Sequence, residues 1–322
     1  MAYIVQVISL PGAALLMSLP RLAIMTLSIA LLSTVAAPAH AASKALGEAL
    51  VPHKALYNIE MISKRSSSQV INIHGQMYFA LQPTCEAWST DHRFNLFYEY
   101  ADSAPMQITS DFTTYEPLDG QSFDFSSRRR RDGELYEELR GTAVRQDDGT
   151  GIVTYSVPEG LTFEVPKNGF FPMAHTEGMM KAIREGKKTF SATVFDGSDE
   201  EGPIEINTII GKLVENKPMN AASTGLDAEL LAPPARKVRM AFFPLANDSE
   251  SSDYEMDVVL HDNGVISAMT VDYGEFSVSQ KLVALEKVDA PVCGNGVPGA
   301  QEKAAPQKEE TKPRKKLFGI IP

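Results

Sequence analysis

The sequence predicts an all-β fold with one short helix, in which about fourteen antiparallel strands curl into a barrel or a sandwich. Segments that alternate apolar and polar residues recur roughly every 8–12 residues. Asp-Gly and Asn-Gly turns separate several of these segments, and one stretch alone has helical periodicity. The alternating strand–helix rhythm of a nucleotide-binding fold is absent, so the pattern favours a single antiparallel sheet.

The predicted strands begin just after residue 54, where Ala55, Tyr57, Ile59 and Met61 share one face of an extended segment. Asp-Gly pairs at 119–120, 132–133 and 148–149 and an Asn-Gly pair at 263–264 indicate hairpin turns, because glycine readily adopts a positive φ. The remaining strands are predicted at 70–81, 93–100, 108–115, 122–125, 135–144, 152–157, 189–195, 204–214, 238–243, 254–261, 264–272 and 275–288.

Residues 172–187 break the β pattern and predict one helix of about three turns. Met173, Met180 and Ile183 fall on one face of this helix, and Gly186 is suited to end it. Residues 216–234 are polar and contain proline, which predicts a loop. Because the composition does not change between the strands, residues 42–293 are predicted to form a single β-barrel domain.

Residues 1–41 predict a secretory signal peptide. Arg21 precedes an apolar run, and residues 39–41 read Ala-His-Ala, a small-x-small cleavage signature, so the mature chain is expected to begin at Ala42. A start at Met17 would give a signal peptide of more usual shape, which makes residues 1–16 a candidate start-site artefact. A retained membrane anchor is the alternative, and it is disfavoured because a proline and Arg21 interrupt the apolar stretch.

The charge is distributed unevenly along the chain. Since residues 1–41 carry +1 and residues 294–322 carry +3, the net charge of -11 leaves -15 for residues 42–293. Nucleic-acid binding is not expected of so acidic a protein. After the signal, no segment approaches the roughly 18 apolar residues of a membrane-spanning helix. The basic tail, 294–322, is predicted to be disordered, and contact of its apolar end with a membrane or a partner is the alternative.

Cys85 and Cys293 are the only two cysteines in the sequence. Export would place them in an oxidising compartment, where two thiols in one domain are expected to form a disulfide. A zinc site is disfavoured because the histidines occur singly. A redox-active pair is disfavoured because a C-x-x-C motif is absent. Trp88, close to Cys85, is expected to pack beside the bridge.

Motifs for catalysis are absent: the sequence contains no G-x-S-x-G, P-loop, G-x-G-x-x-G or H-E-x-x-H. We therefore predict no catalytic residue, no metal site, no cofactor and no enzymatic activity. Hydrolysis of a glycan by two carboxylates is a minor alternative. The acidic residues beside predicted strands are Asp91, Asp111, Glu116, Asp124, Asp196 and Asp272.

Four consecutive arginines precede one predicted turn: Arg128, Arg129, Arg130 and Arg131. In a strand they would point alternately to both faces, so a hairpin tip is expected. They are candidates for contact with an acidic partner or a lipid phosphate, and a solvated loop is the favoured alternative. Residues 194–198 read as a strand end that turns through Asp-Gly.

Several short motifs occur in an order that resembles the EipB-like family of periplasmic cell-envelope integrity proteins of Gram-negative bacteria. The likeness covers about residues 48–293, with both cysteines in place, and the order of the motifs is more specific than any one of them. The motifs are VPHKALY at 51–57, CEAW at 85–88, TYEPLDG at 114–120, FPMAHT at 171–176, VFDGS at 194–198, DYGEF at 272–276 and LE at 285–286.

The resemblance implies a spiral-like, many-stranded β-barrel with one internal disulfide, matching Cys85 and Cys293. It implies a periplasmic protein that maintains the cell envelope under stress, with a periplasmic tetratricopeptide-repeat protein as a candidate partner. It brings no established catalytic residue. The runner-up function is a periplasmic carrier that binds a lipid or lipoprotein acyl chain in the barrel.

Overall fold

The computed structural model describes residues 50–215, 225–245, 251–291 and 293. The predicted signal peptide, 1–41, and basic tail, 294–322, lie outside the described residues. Within them the chain forms fourteen strands and two helices, which confirms the all-β class and the predicted number of strands. No helix among these residues is long and apolar enough to cross a membrane.

The elements follow one another in a long series of hairpins, interrupted by α1 (Pro172–Arg184) and α2 (Ala228–Leu231). The strands are β1 (His53–Lys64), β2 (Val70–Pro83), β3 (Ala87–Tyr100), β4 (Met106–Pro117), β5 (Ser122–Arg131), β6 (Glu134–Arg145), β7 (Gly151–Val157), β8 (Thr162–Val165), β9 (Thr189–Val194), β10 (Ile204–Val214), β11 (Ala235–Pro244), β12 (Tyr254–His261), β13 (Ile266–Asp272) and β14 (Phe276–Lys287).

All fourteen strands belong to one antiparallel sheet. Its order is β8-β7-β6-β5-β4-β3-β2-β1-β14-β13-β12-β11-β10-β9, so the first and last strands of the chain pair with each other at its centre. The sheet curls into a nearly closed barrel, and β8 and β9 are its two edges. The ends of β1 and β14 define the register, with His53 opposite Lys287 and Lys64 opposite Phe276.

Alternation along the strands produces the core. In β3, for example, Thr90, His92, Phe94, Leu96 and Tyr98 are buried, and the residues between them are partly exposed. Every strand contributes at least one buried apolar side chain to a single hydrophobic cluster. At roughly 25 cal/mol for each Å² of apolar surface removed from water, this burial is the main stabilising contribution.

The predicted helix is confirmed as α1. Met173, Met180 and Ile183 are buried on one face, as the 3.6-residue period requires. A loop throughout 216–234 was the wrong expectation for its described part, because the single-turn helix α2 lies there. The carboxylate of Asp227 accepts the N–H of Glu229 at 2.9 Å and caps this turn, and Leu230 enters the core.

Candidate functional site

The chain between the two edge strands closes the barrel. Phe170 donates its backbone N–H to the carbonyl of Thr193 at 2.8 Å and accepts the N–H of Phe195 at 3.0 Å. A single parallel bridge thus joins the chain after β8 to β9. We call residues 166–188, with α1 at their centre, the seam.

Glu116, at the end of β4, holds the first turn of α1. Its carboxylate accepts the backbone N–H groups of Met173 at 2.8 Å and Ala174 at 2.9 Å. Phe171, which precedes the helix, provides no side-chain cap, so a distant strand provides the acceptor instead. Burial raises the pKa of Glu116 to about 7, and the two hydrogen bonds act in the opposite direction.

Arg145, the last residue of β6, fixes the chain that leads into α1. Its guanidinium donates to the carbonyl of Gly169 and lies 4.6 Å from the centre of the Phe171 ring. Burial lowers the pKa of Arg145, and the nearby carboxylate of Glu116 opposes that shift. The start of α1 is therefore held by a carboxylate from β4 and a cation from β6.

Replacing Glu116 is expected to loosen the seam. Glu116→Ala leaves the N–H groups of Met173 and Ala174 buried without their acceptor, which costs about 1–3 kcal/mol of the free energy of unfolding. Glu116→Gln keeps one acceptor oxygen and should cost less. Urea denaturation measures both, with Glu164→Ala, at an exposed position of β8, as the control. Equal midpoints for wild type and Glu116→Ala would contradict the capping role.

A second buried polar group lies in the loop that follows β9. Asp196 is 5 % exposed, and its Oδ1 accepts the N–H of Ser198 at 2.9 Å. Arg129 of β5, also buried, donates to the carbonyl of Ser198 and to the carboxylate of Glu137, each at 2.6 Å. Burial, with the charge of Asp199, raises the pKa of Asp196 to about 7. The loop is thereby joined to β5 and β6, across the barrel from its own strand.

The same loop brings aromatic side chains into the interior. Gly197 has a φ of +69°, and a Cβ there would lie 2.5 Å from the ring of Phe125, so only glycine fits this turn. Beside it, the ring of Phe195 lies 5.5 Å from that of Phe125 and 6.2 Å from that of Phe123. Tyr155 packs edge-on against Phe125 at 4.9 Å. These contacts fill the interior next to the seam.

The buried histidines are neutral at physiological pH. Burial lowers the pKa of His175 in α1 and of His92 in β3 to about 3.

The other polar groups near the seam form local contacts. The hydroxyl of Ser198 donates to the carboxylate of Asp199 at 3.4 Å. In the described part of the chain, no group of three or more His, Cys, Asp or Glu side chains is arranged to hold a metal ion. The polar groups around the seam thus attach it to the sheet.

The acidic residues considered for glycan hydrolysis lie in different environments. Glu116 and Asp196 are buried and used as described above. The other four form ordinary local contacts: Asp91 with Arg93, Asp111 with Arg130, Asp124 with the hydroxyl of Thr142, and Asp272 with the N–H of Gly274. The sequence alone did not distinguish these two groups, because burial depends on which strands become neighbours.

The expectation that the four arginines form a hairpin tip was wrong. They are the last four residues of β5, and the tip is Asp132-Gly133. Arg129 points inward, and the other three remain at least partly accessible. Each has an intramolecular contact: Arg128 with Glu138 at 2.9 Å, Arg129 with Glu137, Arg130 with Asp111 at 3.4 Å, and Arg131 over the ring of Tyr136 at 5.0 Å. Glu137 and Glu138 of β6 pair with Arg129 and Arg128, and these ion pairs join the arginine segment of β5 to the neighbouring strand. Contact with an acidic partner or a lipid phosphate stays a prediction.

The predicted disulfide is confirmed. Cys85 and Cys293 are bonded, with their Cα atoms 5.5 Å apart. Trp88 is buried as expected, and its indole N–H opposes the rise that burial causes in the pKa of Glu177 in α1. The bridge therefore attaches the chain after β14 to the β2–β3 turn, on the side of the barrel that faces the seam.

A groove lies on the solvent side of the seam, between α1 and β9. Its volume is about 430 Å³, and Phe170, Ala174, Gly178 and Phe190 form its apolar part. Phe170 and Phe190 also line an adjoining groove of about 530 Å³ along β9. Their rings pack edge to face with 6.1 Å between centres. The barrel thus has an elongated surface groove at its edge.

Comparison with known proteins agrees with this architecture. The model of the EipB-like family matches residues 44–289. The chain belongs to the EipB-like family. Among curated proteins, it is 30% identical over 257 residues to the "Cell envelope integrity protein EipB" of Brucella abortus (strain 2308), covering 78% of this chain and 89% of that protein.

A solved structure extends the comparison to the fold. The crystal structure of a beta-barrel-like protein of domain of unknown function DUF1849 from Brucella abortus matches with a TM-score of 0.69 and 27% identity. The match covers 74% of this chain and 99% of that one. It confirms that this EipB-like protein has the barrel of its family.

Proposed function

We propose that this EipB-like protein is a non-enzymatic periplasmic protein that supports cell-envelope integrity and resistance to envelope stress. The observation that carries the proposal is the family match across the whole barrel, together with a relative named as a cell envelope integrity protein. The Cys85–Cys293 disulfide supports an oxidising compartment. The contacts at the seam support a structural role for its polar residues.

The alternative function, a carrier for a lipid or lipoprotein acyl chain, receives no support from the seam end of the interior. There, Phe123, Phe125, Tyr155 and Phe195 pack against one another, and all four are buried. An interior filled by side chains has no space for an acyl chain in that region. This packing favours the envelope role over the carrier function for the seam end of the barrel.

Deletion of the gene is expected to sensitise cells to detergent and to cell-wall antibiotics, measured by plating efficiency. The full-length gene should restore resistance, and the same gene without codons 2–41 should not, because that product stays in the cytoplasm. N-terminal sequencing of the exported protein should identify Ala42 as its first residue.

Unchanged sensitivity after deletion would reject the envelope role. Rescue by the signal-less gene would reject the periplasmic location alone.

A further inference from the structure

One edge of β9 is open beside the groove. Thr193 and Phe195 form backbone hydrogen bonds with Phe170, so the odd-numbered residues along β9 direct their N–H and C=O groups away from β10. The even-numbered residues face β10, since the carbonyl of Lys188 accepts the N–H of Ile210. By this alternation, the N–H and C=O of Ser191 face the groove, and the bridge at Phe170 continues no further along β9. The edge can therefore accept another strand.

The walls of the groove suit an apolar strand. On one side, Ala174 and Gly178 of α1 present little bulk, and a Cβ at Gly178 would lie 3.1 Å from the ring of Phe190. On the floor, Phe170 and Phe190 are partly exposed. The charged lining is mixed: Lys181 and Lys187 both lie beside Glu185, whereas the carboxylates of Glu177 on the α1 wall and Glu205 on the β9 side have no lysine partner among the lining residues. The lining therefore carries one more carboxylate than ammonium groups, which suits a partner whose apolar side chains are followed or preceded by basic residues.

The chain itself carries such a segment. Residues 315–321 read Lys-Lys-Leu-Phe-Gly-Ile-Ile, a basic pair followed by residues that favour extended structure. Cys293 connects this segment to Cys85, three residues before Trp88, and Trp88 is close enough to Glu177 in the groove lining to influence the pKa of that carboxyl group. Residues 294–314 span up to roughly 70 Å when extended and about 25 Å on average as a flexible chain, so the segment can reach the groove.

We propose that residues 317–321 bind in the groove of their own molecule as an added strand on the edge of β9. Backbone groups of the segment pair with those of Ser191, the side chains of Leu317, Phe318 and the isoleucines pack on Phe170 and Phe190, and the lysines approach Glu177. The tether keeps the segment at an effective concentration in the millimolar range for short flexible linkers, so modest intrinsic affinity is sufficient. A fifteenth strand thereby covers the open edge of the sheet.

The test uses the full-length protein with a photo-crosslinking phenylalanine analogue at position 318, irradiated at low micromolar concentration. Crosslinked peptides identified by mass spectrometry should join position 318 to residues 170–193 within one chain. Ile320→Asp with Ile321→Asp, in the tail, should reduce this crosslink by about tenfold without affecting the barrel. Gly178→Leu, in the groove, should reduce it similarly, with Thr142→Leu on the outside of β6 as the matched control.

The possible outcomes separate clearly. Crosslinks within one chain to the groove, lost in the tail variant and kept in Thr142→Leu, support the proposal. Crosslinks only between two chains would overturn it in favour of a second copy as the occupant. Crosslinks to strands away from the seam, or a yield unchanged by the tail substitutions, would also overturn it. Gly178→Leu can disturb α1. Its crosslinking result is therefore used only if circular dichroism shows that the variant unfolds at the same temperature as wild type.

Discussion

Loss of the Cys85–Cys293 disulfide is expected to lower the free energy of unfolding by as much as about 5 kcal/mol. The bridge closes a loop with a sequence separation of 208 residues, and the chain-entropy estimate for so long a loop is about 5 kcal/mol. In a domain of this size, such a change lowers the melting temperature by on the order of 10 °C. Cys85→Ser and Cys293→Ser should have the same effect, because either one opens the same loop.

Differential scanning calorimetry with and without reductant measures this effect. Wild type should melt at a lower temperature in reductant, whereas the double Cys→Ser variant should melt at one temperature in both conditions. That variant is the control for other effects of the reductant. Identical melting of oxidised and reduced wild type would contradict a stabilising bridge. Unchanged far-UV circular dichroism below the transition would show that the reduced protein keeps its β structure.

The strands of this barrel were predictable because their signals are local. Alternation and Asp-Gly turns depend only on neighbouring residues, and they correctly indicated the hairpins from β3 to β7. β8 was missed, since four residues are too few to show a period. The arginines of β5 were misplaced for a physical reason: an inward-pointing Arg129 is stable only because Glu137 and Ser198 neutralise and bind it. The first of these partners is on another strand, and the second is 69 residues away.

The candidate site was less predictable because it joins distant segments. The sequence places Glu116 and Asp196 beside predicted strands, and a carboxylate in such a position can be either exposed or buried. The motifs at 114–120 and 171–176 are far apart in the sequence, and the structure connects them through Glu116 and the N–H groups of Met173 and Ala174. Arg145 lies in none of the motifs. A helix that begins at Pro172 without a capping side chain was the available signal that another segment must supply an acceptor.

Asp196→Asn is expected to make the protein more stable relative to wild type as the pH rises. Burial and the charge of Asp199 raise the pKa of Asp196 from 3.8 to about 7 in the folded state, so the folded protein holds this proton more tightly than the unfolded chain. The stability that the group contributes is complete below pH 3.8 and is lost as the pH rises through 7. The change from 3.8 to about 7 corresponds to a loss of about 4 kcal/mol of stability between acidic and alkaline pH.

The measurement is the difference in the free energy of unfolding between Asp196→Asn and wild type from pH 4.5 to pH 8. Burial lowers the pKa of His92 and His175 to about 3, so these histidines destabilise the folded state as the pH falls below 6.5. The stability contributed by Asp196 changes with pH in the opposite direction. Taking the difference between the two proteins cancels the histidines. The lost electrostatic attraction between Asp196 and Arg129 adds a constant offset to this difference, and the slope of the difference against pH reports the carboxyl group. Asp102→Asn, at an exposed position between β3 and β4, is the matched control for the exchange of Asp for Asn. A flat difference for Asp196→Asn would show that this carboxyl group titrates alike in both states.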